Sequence, residues 1–156
     1  MPRIRFHPTL SDIPVAKWDA LHDGRNPFVY HSFLFGLEQH GCLREDWGWI
    51  PHHITLWDNE ELVAAIPGYA KTNSHGEFVF DHAWAQAYAH YGRDYFPKWL
   101  GAVPYSPVTG ARLLARGDAH REALLAAVVE QVGTGGFSSG HINFHAPEED
   151  AAFPLE

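Results

Sequence analysis

The sequence predicts an α/β (α+β) domain built on a mostly antiparallel sheet flanked by helices. Three observations predict it. Asp58-Asn59-Glu60 separates two apolar stretches, residues 50–57 and 62–69, in the manner of a β-hairpin. Residues 119–132 carry Leu124, Leu125, Val128, Val129 and Val132 in helical period. The chain has 156 residues, 46% of them hydrophobic and 14% aromatic, which excludes disorder and supplies one packed core.

From the N-terminus, Ile4 and Phe6 alternate with Arg3, Arg5 and His7, the pattern of a short strand. Ser11 is placed as an N-cap, with Pro14 in the first turn of a helix reaching about His22. Its apolar stripe is Val15, Trp18 and Leu21. Asp23-Gly24-Arg25-Asn26-Pro27 is a loop by its turn chemistry. A second helix is expected over 31–40, with Phe33, Leu34 and Leu37 facing the core and Gly41 ending it. After the hairpin, residues 71–76 form a polar loop and 77–81 a short strand. A helix over 83–91 stops at Gly92; residues 97–103 and 111–116 are extended. The helix over 119–132 breaks at Gly133-Thr134-Gly135-Gly136, and residues 141–145 form a last strand.

Charge narrows the function. A formal net charge of −8 at pH 7 and the lack of any Lys/Arg run exclude a nucleic-acid partner and disfavour an anionic membrane surface. Apolar runs fall well short of the roughly 20 residues of a membrane span, and the first residues lack a signal-peptide core. The single cysteine, Cys42, rules out an internal disulfide and suits a reducing cytoplasm, the expected location. Twelve histidines invite a metal site, but their spacing opposes one. His141 and His145 on a strand stand about 13 Å apart. His82 and His90 on a helix stand about 12 Å apart. His52 and His53 point to opposite faces of a strand. No metal is therefore expected. Cys42 has no histidine partner in view, and the adjacent Ser74-His75 make a poor nucleophile–base pair, so catalytic residues stay unassigned.

The stretch Tyr69-x-Lys71-x-x-Ser74-x-Gly76-Glu77-Phe78-Val79-Phe80-Asp81 resembles a segment of the FemAB-like proteins of the GNAT acyltransferase superfamily. So do Trp84-Ala85-x-Ala87-Tyr88, then Gly92-x-x-Tyr95-Phe96-Pro97-Lys98, then Pro104-Tyr105-Ser106-Pro107-Val108-Thr109-Gly110-x-Arg112-Leu113-Leu114. Upstream, Asn26-Pro27-Phe28, His31-Ser32-Phe33-Leu34 and Gly48-Trp49-x-Pro51-x-His53 extend the similarity over nearly the whole chain.

The resemblance implies a GNAT-like fold and an N-acyltransferase similar to enzymes that attach amino acids to peptidoglycan precursors. Such proteins look like two GNAT-like halves in tandem, about twice this length. The chain is thus expected to be one GNAT-like domain over 1–156, the N-terminal half of a longer, here truncated, protein. Ala151-Ala152-Phe153-Pro154-Leu155-Glu156 breaks off after a helix-like start at Pro147, which fits truncation. The expected partner is a C-terminal half or a second copy, docking on an apolar patch near the C-terminus. For the full-length family the donor is acyl-CoA or an aminoacyl carrier. In this chain no cofactor is expected: the helix near Ala83 begins after an acidic stretch that repels a pyrophosphate, and Gly133-Thr134-Gly135-Gly136 follows a helix instead of opening one.

Acyl transfer to an amine needs a base and oxyanion donors. Lys71, Ser74, Glu77, Asp81, Tyr95 and Lys98 are the best-placed residues for a groove taking a small-molecule or peptidic amine. Each has a plainer role as well. Asp81 suits an N-cap, Glu77 suits a cross-hairpin pair with Lys71, and Trp84 and Tyr88 suit the core. Tyr95-Phe96-Pro97 and Tyr105-Ser106-Pro107 suit rigid turns. The competing function is a non-catalytic, GNAT-like binding or assembly module, homodimeric in one form.

Overall fold

The computed structural model describes residues 1–153 and has the predicted α+β class. The expected mostly antiparallel sheet is present as two four-stranded sheets. The first holds β1 (Arg3–His7), β3 (His53–Asp58), β4 (Glu61–Ile66) and β7 (Leu114–Ala115), in the order β1-β3-β4-β7. The second holds β2 (Trp49–Pro51), β5 (Gly68–Lys71), β6 (Lys98–Gly101) and β8 (Gly140–Ile142), in the order β2-β5-β6-β8. Among the described strands, β6 and β8 are the one parallel pair.

The hairpin joins the sheets. β2 runs into β3 at His52, and β4 runs into β5 at Pro67, so one bent hairpin serves both. Pro67 has no N–H to donate. Gly68 has no Cβ, and one there would stand 2.3 Å from the Trp99 ring and 2.6 Å from the His52 carbonyl. The bend therefore tolerates glycine and little else.

β3 and β4 are buried on both faces, which is why they read as nearly continuous apolar runs instead of alternating ones. On one face Ile54, Ala64 and Ile66 pack against Leu124, Ala127 and Val128 of α4 (Asp118–Thr134). On the other, Trp57, Leu62 and Ala65 pack against Leu10, Trp18 and Leu34. Trp18 lies in α1 (Val15–Asp19) and Leu34 in α2 (His31–Gln39). The second sheet has its own core of Trp49, Tyr69, Leu100 and Ala102.

Several local expectations are corrected. The first helix does not run unbroken from Ser11. Thr9 caps a 3-10 turn at Leu10–Asp12, and α1 starts only after Pro14, because Ile13 before proline is held extended (ψ 120°). Residues 77–81 form no strand: Phe78 adopts a positive φ of 59°, and Glu77 and Asp81 turn inward toward charged partners. Only Leu114–Ala115 of the 111–116 stretch joins a sheet. The helix expected at 83–91 is α3 (His82–His90), but it buries no residue. Trp84 is 67% exposed, so it is not core; Tyr88 is half-buried. Residues 154–156 of the expected break-off lie outside the described residues.

Candidate functional site

β5 and β6 are antiparallel neighbours whose register sets Lys71 directly opposite Lys98. Two ammonium groups facing each other on one sheet are unfavourable unless opposite charge is brought to them. The connection from β5 to β6 does so. Lys98 Nζ donates to Glu77 Oε2 at 2.9 Å, Asp81 Oδ2 at 2.5 Å and Ser74 Oγ at 3.2 Å, which uses its three donors. Tyr95 Oη donates to the same Asp81 oxygen at 2.6 Å. Lys71 Nζ donates to the His75 carbonyl at 3.1 Å and lies 3.7 Å from the centre of the Trp49 ring. All six candidate residues therefore meet in one cluster. Lys71, Glu77, Asp81, Tyr95 and Lys98 are buried, and Ser74 is half-buried.

The plainer roles expected of these residues are corrected by this geometry. Asp81 occupies the N-cap position of α3 but makes no capping bond, because its carboxylate is committed to Lys98 and Tyr95. Glu77 pairs with Lys98, not with Lys71. Tyr105 does pack at a turn, its ring against Trp49 and its hydroxyl donating to the Cys42 carbonyl at 2.9 Å.

The two carboxylates titrate differently. Burial pushes Asp81 up, but the hydrogen bonds it accepts, led by that from Lys98, outweigh burial and hold it well below the usual carboxylate range. Burial pushes Glu77 up and prevails over the hydrogen bond and charge of Lys98. Burial and the bond to Asp81 raise Tyr95, which stays a donor. Burial also lowers Lys71 to about 8, against the attraction of Glu77. A carboxylate raised beside one depressed is the pattern of a proton acceptor beside a fixed charge. Glu77 Oε1 and Asp81 Oδ1 are buried and have no hydrogen-bond partner among the described residues.

Lys71 makes a testable demand on stability. Its folded pKa, about 8, lies below the ordinary 10.5, so between those values the unfolded chain binds more protons and stability rises with pH. Below about 8 the cost of burying the ammonium is fully present. The Lys71→Met variant is expected to be more stable than the parent at pH 7 and to lack this rise. Urea unfolding of both from pH 7 to 10 checks it; equal slopes contradict it.

Beside the cluster, Trp84, Ala87, Tyr88, Tyr91 and Arg93 line an open cleft of about 410 Å³. Tyr88 joins cleft to cluster, its ring 5.2 Å from that of Tyr95. None of the six residues lines this cleft or a larger cavity of about 650 Å³ between residues 21–29, 108–115 and 146–149. The cleft is the better candidate because Tyr88 links it through Tyr95 to Asp81. Sequence reasoning missed Trp49 and the cleft. In the sequence Trp49 stands out only as the lead into the first strand of the hairpin and as part of the resemblance, and the aromatic positions of α3 suggest core.

No group of three His, Cys, Asp or Glu side chains is placed to hold a metal ion among the described residues, and no helix there is long and apolar enough to cross a membrane. Among known proteins, no curated protein and no solved structure matches the chain. The model of the FemAB-like family, described as peptidoglycan biosynthesis/recognition, matches residues 9–155. A match over nearly the whole length, through the very residues that build the buried cluster, means that this chain belongs to the FemAB-like family.

Proposed function

We propose that this chain forms the acceptor side of an N-acyl or aminoacyl transfer to an amine of a peptidoglycan-type peptide. The observation that carries the reading is the pair of unpartnered buried oxygens, Glu77 Oε1 and Asp81 Oδ1. An incoming ammonium supplies the donors they lack. Asp81, held ionised, anchors it, and Glu77, with its raised pKa, takes the proton that must leave before nitrogen attacks a carbonyl. The aromatic cleft along α3 then receives the rest of the peptide. Phe78, Val79 and Phe80, between the two carboxylates, are exposed, and the amine is taken to enter along this stretch. In this reading the acyl donor is held by a second half of a longer protein. This chain binds no acyl-CoA alone, since a carboxylate stands at the start of α3.

Isothermal titration tests it. A lysyl dipeptide with a free amine is expected to bind one to one, and its N-acetylated form and acetyl-CoA not at all. A charge-assisted hydrogen bond contributes about 1.5–3 kcal/mol, so Glu77→Gln or Asp81→Asn weakens binding about 10–100-fold. Equal binding of the acetylated peptide, or unchanged affinity in both variants, overturns the reading. A second reading, a non-catalytic binding or assembly module, is favoured by the exposure of Phe80 (87%), Tyr91 (78%) and Trp84. The same titration separates the two, because an assembly surface does not discriminate free from acetylated amine.

A further inference from the structure

We propose that Ser139 and His141 form a nucleophile–base dyad that carries an acyl group as a serine ester. Ser139 Oγ stands 2.8 Å from His141 Nε2, and both residues are half-buried. Two residues apart on an extended segment, their side chains share one face. The serine is held in place by its backbone: Trp99 N donates to the Ser139 carbonyl at 2.9 Å, and Ser138 N to the Pro97 carbonyl at 2.9 Å. These bonds fix the nucleophile to the strand that carries Lys98.

His141 is suited to accept a proton. Burial, then the nearby Lys98 charge, lowers its pKa against the opposing effect of Asp81, so the ring is neutral at physiological pH. In the tautomer with its proton on Nδ1, Nε2 accepts from the Ser139 hydroxyl. The ring meets Tyr95 edge-on at 6.2 Å, and Tyr95 Oη bonds Asp81, so the dyad adjoins the acceptor cluster.

The residue after the serine supplies the oxyanion donor. β8 is an edge strand, and the bonds from Trp99 N to the Ser139 carbonyl and from Asn143 N to the Gly101 carbonyl turn the Gly140 amide toward the open edge. An amide directly following a nucleophile is a recurrent oxyanion donor. A Cβ at Gly140 would stand 2.6 Å from Val132 Cγ2, so the site holds a glycine.

The step balances with an activated ester or thioester as donor. The Ser139 hydroxyl proton passes to His141 Nε2 as Oγ bonds the carbonyl carbon. The carbon–leaving-group bond then breaks, and the departing alkoxide or thiolate takes its electron pair and that proton. An amine at the cluster next attacks the ester, Ser139 departs as the leaving group, and the proton lost by the amine returns to its oxygen. The delivery to an amine rests on the acceptor reading above; the formation of the ester does not.

The test uses the whole chain and p-nitrophenyl acetate, with rapid acid quench, intact mass and peptide mapping. One acetyl group on Ser139 is expected, with a stoichiometric burst of nitrophenolate. Ser139→Ala abolishes the burst, and His141→Gln slows it about 100-fold at an unchanged circular dichroism spectrum. No ester on Ser139, acetylation on amines alone, or an unaltered burst in His141→Gln overturns the proposal. Amine binding is read by calorimetry without any acyl group, so ester formation without amine binding, or the reverse, identifies which proposal has failed.

Discussion

Replacing Lys98 with alanine is expected to destabilise the chain by about 3–5 kcal/mol, the range for leaving a buried charge without its partner. Lys98 is 2% exposed and holds two buried carboxylates and a serine at once. Without it, Glu77 and Asp81 face each other's charge with Lys71 alone to balance them. For a chain of this size about 2–4 °C of melting temperature goes with each kcal/mol, so the drop is about 10 °C. The loss has a pH signature. Removing Lys98 raises both folded carboxyl pKa values, so the variant loses stability as pH rises through the carboxylate range and recovers part of it in acid. Adding Glu77→Gln and Asp81→Asn to the variant restores part of the stability, because the two carboxylate charges are then gone and only the buried Lys71 ammonium is left without an anion. Calorimetric melts at pH 4 and pH 7 check both statements; a loss below about 1 kcal/mol at pH 7 contradicts them.

Glu149→Ala is expected to cost a similar amount, about 3–5 kcal/mol, in a second buried network. The Glu149 carboxylate accepts from the backbone N–H groups of Leu113 at 2.7 Å, Arg112 at 2.9 Å and Ala146 at 3.2 Å. It is also the charge opposing the buried Arg112, whose pKa burial lowers to about 10. The guanidinium itself donates to the carbonyls of Val108, Gly110, Ala111 and Asn143. The alanine variant leaves three N–H groups unsatisfied and a buried cation without compensation. Glu149→Gln keeps an acceptor oxygen and is expected to lose about half as much. Urea denaturation of the two variants measures the difference, and equal losses would show that the charge, not the hydrogen bonding, dominates.

Both networks bear on what a sequence discloses. The hairpin, α2 and α4 are legible because turn chemistry and apolar period are local properties. The first helix is misjudged because Pro14 restrains the residue before it. The inward-facing Glu77 and Asp81 cannot be distinguished by local pattern from a strand whose alternate residues face one side. Trp84 is misplaced because an aromatic at helical spacing signals core unless its face of the helix has no neighbour, and that is a tertiary fact. The six candidate residues are legible through family resemblance, but their pairings are not. Lys71 and Lys98 meet through a strand register closed by a long connection, and Ser139–His141 takes its neighbours from the same register.

The unused oxygens of Glu77 and Asp81 are proposed to receive an acceptor amine, and a crystal structure of the chain with a lysyl dipeptide is the decisive observation. The amine nitrogen is expected within hydrogen-bond distance of Glu77 Oε1 and Asp81 Oδ1, with the peptide along the Trp84–Tyr88–Tyr91 cleft. A dipeptide bound elsewhere, or a cluster still closed with both oxygens unpartnered while the peptide is bound, would contradict it.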